Sequence, residues 1–139
     1  MAFKFYLQPD EMDCGATCLR MVAKHYGKNY NLQELRQATE TTREGISLHS
    51  MSVADEKIGF RTLGIKVSLD KLIDEAPLPL IAHWNQNHFV VIYKITKNKI
   101  FIADPAHGLI VYSKQEFSKS WISDGRDEGV ILLLETTPD

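Results

Sequence analysis

The sequence predicts an α+β fold, with helices early in the chain and a mostly antiparallel sheet after them. In the first 60 residues the apolar positions recur every three or four residues, as on one face of a helix. From residue 60 onwards they fall in short runs bounded by turn residues, as in strands. Helices followed by strands are typical of α+β proteins. A chain of 139 residues with 44% hydrophobic content suits a single domain, which we expect to cover residues 1–139.

The N-terminal half predicts a short extended segment followed by three helices. Asn31 and Ser47 are suitable helix N-caps, and Asn31 has Glu34 three residues on. Gly27 and Gly59 follow apolar-periodic segments and favour helix ends there. The predicted extended segment covers 3–8, and the predicted helices cover 15–26, 31–38 and 47–58.

The C-terminal half predicts six strands and two short helices. Ser68 and Ser113 are candidate N-caps, and Ser113 has Glu116 at the position of a capping box. Pro77 and Pro79 end the first of these helices. The predicted strands are 60–67, 80–84, 88–95, 100–103, 109–112 and 130–135, and the helices are 69–74 and 114–121.

Charge and composition argue against several classes of partner. The net charge of -2 and the lack of a clustered Lys/Arg segment exclude a nucleic-acid-binding protein. No run approaches 18 apolar residues and the N-terminus has no signal-peptide core, so we expect a chain that stays in the cytosol. Two cysteines four residues apart match neither a zinc site nor a disulfide framework. We expect no metal and no cofactor.

Cys14 is the candidate nucleophile. It lies where the first predicted helix begins, after Asp10 and Asp13. Thiolates are the reactive form of cysteine, and a helix N-terminus or a neighbouring imidazolium lowers the pKa of a thiol from its usual value of roughly 8.5. A cysteine on an apolar helix face is more often a small buried hydrophobe, and we assign Cys18 to that role.

Gln8 is the candidate oxyanion donor. Its side-chain amide lies six residues before Cys14 and can donate a hydrogen bond to charge that develops on an attacked carbonyl oxygen. The backbone N–H of Cys14 would be the second donor, because such donors cluster where a nucleophile meets a helix start.

His88 and Asp104 are candidates for the base and for the residue that orients it. They begin and end a predicted hairpin, 88–104, and a Cys nucleophile needs both functions. Side chains alternate along strands, so the two share a face only in the right register. We therefore expect a loop with an odd residue count, centred on Lys97, that sets Asp104 opposite Val90.

Several other residues have alternative interpretations. His83 flanks the same connection as His88, and spacing alone leaves it as a second candidate base. Asp10 and Asp13 resemble a metal pair, but their position before a helix favours N-capping. No pair of histidines has metal-binding spacing. The large aromatic residues are expected to pack in the core. These are Trp84, Phe89 and Trp121.

Four separated elements of the chain resemble one known family. They are Gln8, the block Asp13 to Leu19, His88 to Val91, and Asp104 with Pro105. In this order and at this spacing they resemble the bacteriocin-processing cysteine peptidase domain of peptidase-containing ABC transporters. The resemblance implies a papain-like fold, Cys14 as nucleophile, His88 as base and acid, Asp104 as its orienting partner and Gln8 as oxyanion donor.

The resemblance also implies a substrate and partners. It implies an endopeptidase that removes a leader after a Gly-Gly pair from a precursor of a bacteriocin or signal peptide. The partners would be the leader and the transporter's transmembrane and ATP-binding domains, at the cytoplasmic face of the bacterial cell membrane. Two other classes remain open: a non-catalytic leader-binding domain, and a thiol amidase or transferase with the same residues. The apolar leader groove is expected in the first 60 residues, near Met51.

Overall fold

The computed structural model describes residues 3–9, 13–39, 58–85, 88–122 and 128–136, which form one six-stranded sheet with helices on both faces. The α+β prediction is confirmed. In chain order the described elements are α1 Cys14–His25, α2 Leu32–Thr39, β1 Phe60–Ser68, α3 Leu69–Glu75, β2 Leu80–Trp84, β3 His88–Ile95, β4 Lys99–Asp104, β5 Gly108–Ser113, α4 Lys114–Trp121 and β6 Glu128–Thr136.

The predicted boundaries agree with these elements to within two residues. Asn31 Oδ1 accepts a hydrogen bond from Glu34 N–H at 2.8 Å, and Ser113 and Glu116 form the predicted capping box. Gly27 follows α1 with a φ of +81°, a conformation that favours glycine. The helix predicted at 47–58 falls almost wholly outside the described residues, as does Met51.

The sheet is antiparallel throughout, with strand order β1-β6-β2-β3-β4-β5. The strands that begin or end at the predicted site, β3 and β4, lie next to each other in it. Ends of neighbouring antiparallel strands meet at one edge, so the start of β3, the end of β4 and the start of β5 come together there.

The helices cover opposite faces of the sheet. On one face α1 and α2 pack in a cluster with Phe89, Val91 and Ala103, and on the other α3 and α4 pack in a cluster with Val90 and Ile102. This explains why Phe89 to Ile92 are all buried although side chains alternate between faces. The three aromatic residues assigned to the core are at most 3% exposed, as predicted: Trp84, Phe89 and Trp121.

A β-bulge sets the register of the β3–β4 hairpin. Ile95 pairs with Ile100 around a short turn in which Thr96 N–H donates to Lys99 O at 2.9 Å. The register then shifts by one residue between Ile92 and Lys94, so that Val91 pairs with Ala103. The predicted odd-count loop is therefore wrong. The bulge supplies the extra residue instead, because it places two residues of one strand against one of the other.

Gly129 is required by the packing of Trp121. A Cβ at Gly129 would lie 2.3 Å from Cε2 of the Trp121 ring, which is 1% exposed and packs against Phe117. We expect Gly129→Ala to lower the free energy of unfolding by about 1 to 3 kcal/mol through overpacking. Denaturant unfolding measures this, with Gln115→Ala on the exposed side of α4 expected to stay within about 0.5 kcal/mol. Equal stability of both variants would contradict the Trp121 packing described here.

Candidate active site

Cys14 is the first residue of α1 and lies on the face of the sheet that α1 and α2 cover. It is 5% exposed and packs in the same cluster as Phe89 and Val91 of β3. The thiol lies close enough to the imidazole of His88, the first residue of β3, to raise the pKa of that ring. The predicted nucleophile and the predicted base are thus neighbours, at the positive end of the α1 dipole.

Asp104 holds the other side of the His88 ring. His88 Nε2 lies 2.8 Å from Asp104 Oδ1, and the Asp104 side chain is 4% exposed. Since Nε2 binds the carboxylate, Nδ1 is the ring nitrogen that remains for the thiol. The side chains therefore form a line from Cys14 through His88 to Asp104, the order that a thiol, its base and an orienting acid require.

The pKa of His88 is raised from 6.5 to about 9. Burial by itself lowers the pKa of this imidazole, but the hydrogen bonds and negative charges of Asp104 and Cys14 outweigh burial. The charged form is therefore retained through neutral pH. The contribution of this ion pair to folding stability is present below about pH 6.5 and is lost as the pH rises through about 9.

Asp104 is held by groups on both of its oxygens. Burial by itself raises the pKa of this carboxyl, but the net pKa is lowered by bonds from His88, from Ala106 N–H and from His107. The Ala106 N–H lies 2.9 Å from Oδ1, and His107 Nδ1 lies 3.1 Å from Oδ2. The stability that these bonds supply is present at neutral pH and is lost as the pH falls through the lowered pKa.

The backbone of Gln8 lies against the turn that follows Asp104. Its backbone N–H donates to Pro105 O at 2.7 Å. The segment that carries it is further anchored by a stack of the Phe3 and Tyr93 rings, and by Arg20 of α1, whose guanidinium lies 3.9 Å from the centre of the Tyr6 ring. The backbone of Gln8 is therefore held against the turn that follows Asp104, and the oxyanion role of its side chain stays a prediction.

Asp13 does not have the role that its position predicted. It occupies the N-cap position of α1, but its carboxylate makes no capping hydrogen bond. The carboxylate instead binds Arg36 of α2, with Arg36 Nε 2.8 Å from Oδ1 and Nη2 against Oδ2. A bidentate bond to arginine is stronger than a cap, so the N-cap prediction is wrong for this side chain. Asp10 lies outside the described residues.

Cys18 is buried, as predicted, but it also makes a polar contact. It is 0% exposed, and its Sγ donates to Phe89 O at 3.3 Å. This bond joins the second turn of α1 to the residue after His88, so it helps to hold the nucleophile helix against the strand that carries the imidazole.

The other histidines lie apart from the thiol or outside the described residues. His83, the alternative base, has its ring centre 5.4 Å from that of Phe89, and His25 lies against Phe3 and Tyr26. His107 binds Asp104, a contact the sequence analysis missed, although the spacing Asp-x-x-His after a strand was a usable signal. His49 lies outside the described residues. Among the described residues, no three His, Cys, Asp or Glu side chains could hold a metal ion together.

Sequence comparisons relate this chain to proteins that process and export peptides. It is 40% identical over 123 residues to the Lactococcin-G-processing and transport ATP-binding protein LagD of Lactococcus lactis subsp. lactis, a match covering 85% of this chain and 18% of LagD. It is 33% identical over 112 residues to the Colicin V secretion/processing ATP-binding protein CvaB of Escherichia coli, covering 81% and 16%. The chain thus spans less than a fifth of the length of these relatives. None of the helices in the described ranges is long and apolar enough to cross a membrane.

Two crystal structures have the same fold over nearly the whole chain. A double glycine motif protease from an AMS/PCAT transporter, in complex with the leader peptide, superposes with a TM-score of 0.89 at 30% identity and covers 96% of this chain and 91% of that one. The peptidase domain of Streptococcus ComA, a bi-functional ABC transporter of a quorum-sensing pathway, gives a TM-score of 0.88 at 30% identity over 98% and 100%. Residues 2–139 match the Peptidase C39 family. The chain belongs to this family and is a cysteine peptidase.

Proposed function

We propose that this chain removes the leader from a secreted peptide precursor by cutting after a Gly-Gly pair, as the peptidase domain of an ABC transporter that exports the product. The contact of Cys14 with His88, and of His88 with Asp104, carries this proposal. The relatives named as processing and transport proteins, and the similar protease in complex with a leader peptide, support the substrate and the coupling to export.

The proposal extends to the domains and partners of the whole protein. Residues 1–139 would be one peptidase domain, whose partners are the leader and the transmembrane and ATP-binding domains of the transporter. The peptidase would act at the cytoplasmic face of the bacterial cell membrane, where the precursor is available before export. The relatives LagD and CvaB are named as proteins that join processing to transport or secretion, which supports this arrangement.

The proposed reaction has an acylation step and a deacylation step. The Cys14 thiolate attacks the carbonyl carbon of the second glycine, and the His88 imidazolium gives its proton to the leaving amine of the next residue. The leader remains attached to Cys14 as a thioester. Neutral His88 then takes a proton from a water molecule, the resulting hydroxide attacks the thioester, and the leader leaves with a carboxylate while the thiolate is restored. Asp104 keeps the ring oriented in both steps.

Two donors would stabilise the tetrahedral intermediates. They are the side-chain amide of Gln8 and the backbone N–H of Cys14 at the start of α1. The bond from Gln8 N–H to Pro105 O supports this proposal because it holds the backbone of Gln8 before substrate binds, and preorganised donors act most strongly on charge that develops only in the transition state.

The nucleophile is tested by comparing the two cysteines of α1. Cys14→Ala should abolish cleavage because no other group can form the thioester. Cys18→Ala, one turn along the same helix, should keep most of the activity, since the bond from the Cys18 thiol to Phe89 O is a weak one. Peptide cleavage assays on folded variants measure both. A folded Cys18→Ala that is as inactive as Cys14→Ala would reject the assignment.

The oxyanion role is tested at Gln8. Gln8→Ala should lower kcat by roughly 10² to 10³ with little change in KM, because the bond forms in the transition state. Leu7→Ala, at the exposed neighbouring position, is the matched control and should leave both constants unchanged. An effect confined to KM would mean that Gln8 contacts the bound substrate and not the intermediate.

The charge of His88 gives a pH prediction. Activity should fall as the pH rises through about 9, where the imidazolium loses its proton. Asp104→Asn removes the carboxylate charge that favours the imidazolium, so the alkaline limb should move to lower pH by about one unit or more, with a lower kcat. Glu116→Gln, which changes a carboxylate in α4, should leave the profile unchanged. An alkaline limb that stays in place in Asp104→Asn would contradict the electrostatic role of Asp104.

Substrate selection is tested with leader peptides. If a narrow approach to Cys14 excludes side chains, Gly→Ala at either glycine before the scissile bond should collapse kcat, because a methyl group keeps the carbonyl beyond attack distance. Leu→Ala at apolar positions of the leader helix should raise KM, because those contacts are alike in the ground and transition states. Near-parent kcat on the Gly→Ala peptides would reject the Gly-Gly requirement.

A further inference from the structure

An ion pair between a buried carboxylate and a partly exposed guanidinium lies next to the nucleophile in the chain. Asp13, the residue before Cys14, is 2% exposed, and its carboxylate binds the Arg36 guanidinium through two parallel bonds. A carboxylate taken out of water is costly unless a partner neutralises it and fills its lone pairs. Capping of the helix does not explain a buried Asp13 carboxylate, because an exposed serine or aspartate at the N-cap would begin the helix equally well.

From this geometry we propose that Asp13 and Arg36 are positioning residues for Cys14: the pair fixes the first turn of α1 against α2 and keeps the Asp13 charge from opposing the thiolate. The inference rests on the proposed function of Cys14 as nucleophile. It adds two residues that touch neither the substrate nor the reacting atoms.

The positioning follows from the direction of the bonds. The Asp13 carboxylate makes no bond to the N–H groups of the first turn, and it points instead to a guanidinium on the neighbouring helix. Arginine forms such a fork in one fixed plane, which restrains rotation of the residue that it holds. The Cys14 thiol and the Cys14 N–H follow directly in the chain, so their placement depends on this anchor.

The effect of the Asp13–Arg36 pair on the thiolate follows from the other charges around the Cys14 thiol. His88 of β3 faces it, Asp104 of β4 lies behind His88, and His107 lies on the far oxygen of Asp104. Asp13 is thus the negative group that adjoins the thiol in sequence, and Arg36 is the positive group bound to it. With Arg36 in place, the carboxylate does not cancel the positive end of the α1 dipole, which favours the thiolate.

The test separates charge from geometry. Alkylation of Cys14 by iodoacetamide at pH 6, followed by mass spectrometry, reports the thiolate without any peptide substrate. Arg36→Gln leaves the carboxylate uncompensated and should slow alkylation about tenfold. The double variant Asp13→Asn with Arg36→Gln has no uncompensated charge and should recover the parent alkylation rate. Arg36→Lys keeps the charge but loses the fork, so it should alkylate normally and still have a lower kcat on leader peptide.

Controls and contrary outcomes are defined by the same variants. Lys24→Gln, at the other end of α1, should match the parent in every assay. A folded Arg36→Gln with the parent alkylation rate, or a double variant as slow as Arg36→Gln, overturns the proposal. If Arg36→Gln does not fold, the other two variants decide. Slow alkylation in Arg36→Lys or in the double variant overturns the proposal, and so does a kcat equal to that of the parent in both. If the parent cuts no leader peptide but the alkylation rates follow the expected pattern, the proposed function fails. The role of the Asp13–Arg36 pair in favouring the Cys14 thiolate then stands.

Discussion

The hydrogen bond between His88 Nε2 and Asp104 Oδ1 is the interaction on which the site depends. It joins the first residue of one strand to the last residue of its neighbour, and it exists only because the two side chains share a face of the sheet. Together with the negative charges of Asp104 and Cys14, the bond outweighs the cost of burying an imidazole, so that the pKa of the ring is raised. Loss of the Asp104 carboxylate would shift the His88 ring toward its neutral form.

The fold supplies this bond with rigid support from several directions. Both faces of the sheet are covered by helices, so the central strands are held by packing on each side. Cys18 ties α1 to the carbonyl of Phe89, and Gln8 is tied to Pro105 beside the acid. The proposed nucleophile, base, acid and oxyanion donor thus come from four different parts of the chain.

Membership of a peptidase family and the local geometry reinforce each other here. Family membership says that the chain is a cysteine peptidase, and the contacts support the roles that we propose for its residues. Asp104 has one oxygen on His88 and the other on His107, while Asp13 is neutralised by Arg36. Both of these buried carboxylates are therefore paired with a cationic or hydrogen-bonding group, as a buried negative charge requires.

The sequence by itself determined the order and limits of the described elements and, through its motifs, the members of the proposed site. Hydrophobic periodicity and caps are local properties, so they can be read without a structure. Only the tertiary structure decided the register. The sequence alone predicted an odd-count loop, whereas a bulge between Ile92 and Lys94 supplies the shift, because a bulge is selected by packing against the neighbouring strands and helix. The same is true of Asp13: an acid before a helix predicts a cap, but the arrival of Arg36 from another helix decides where its carboxylate points.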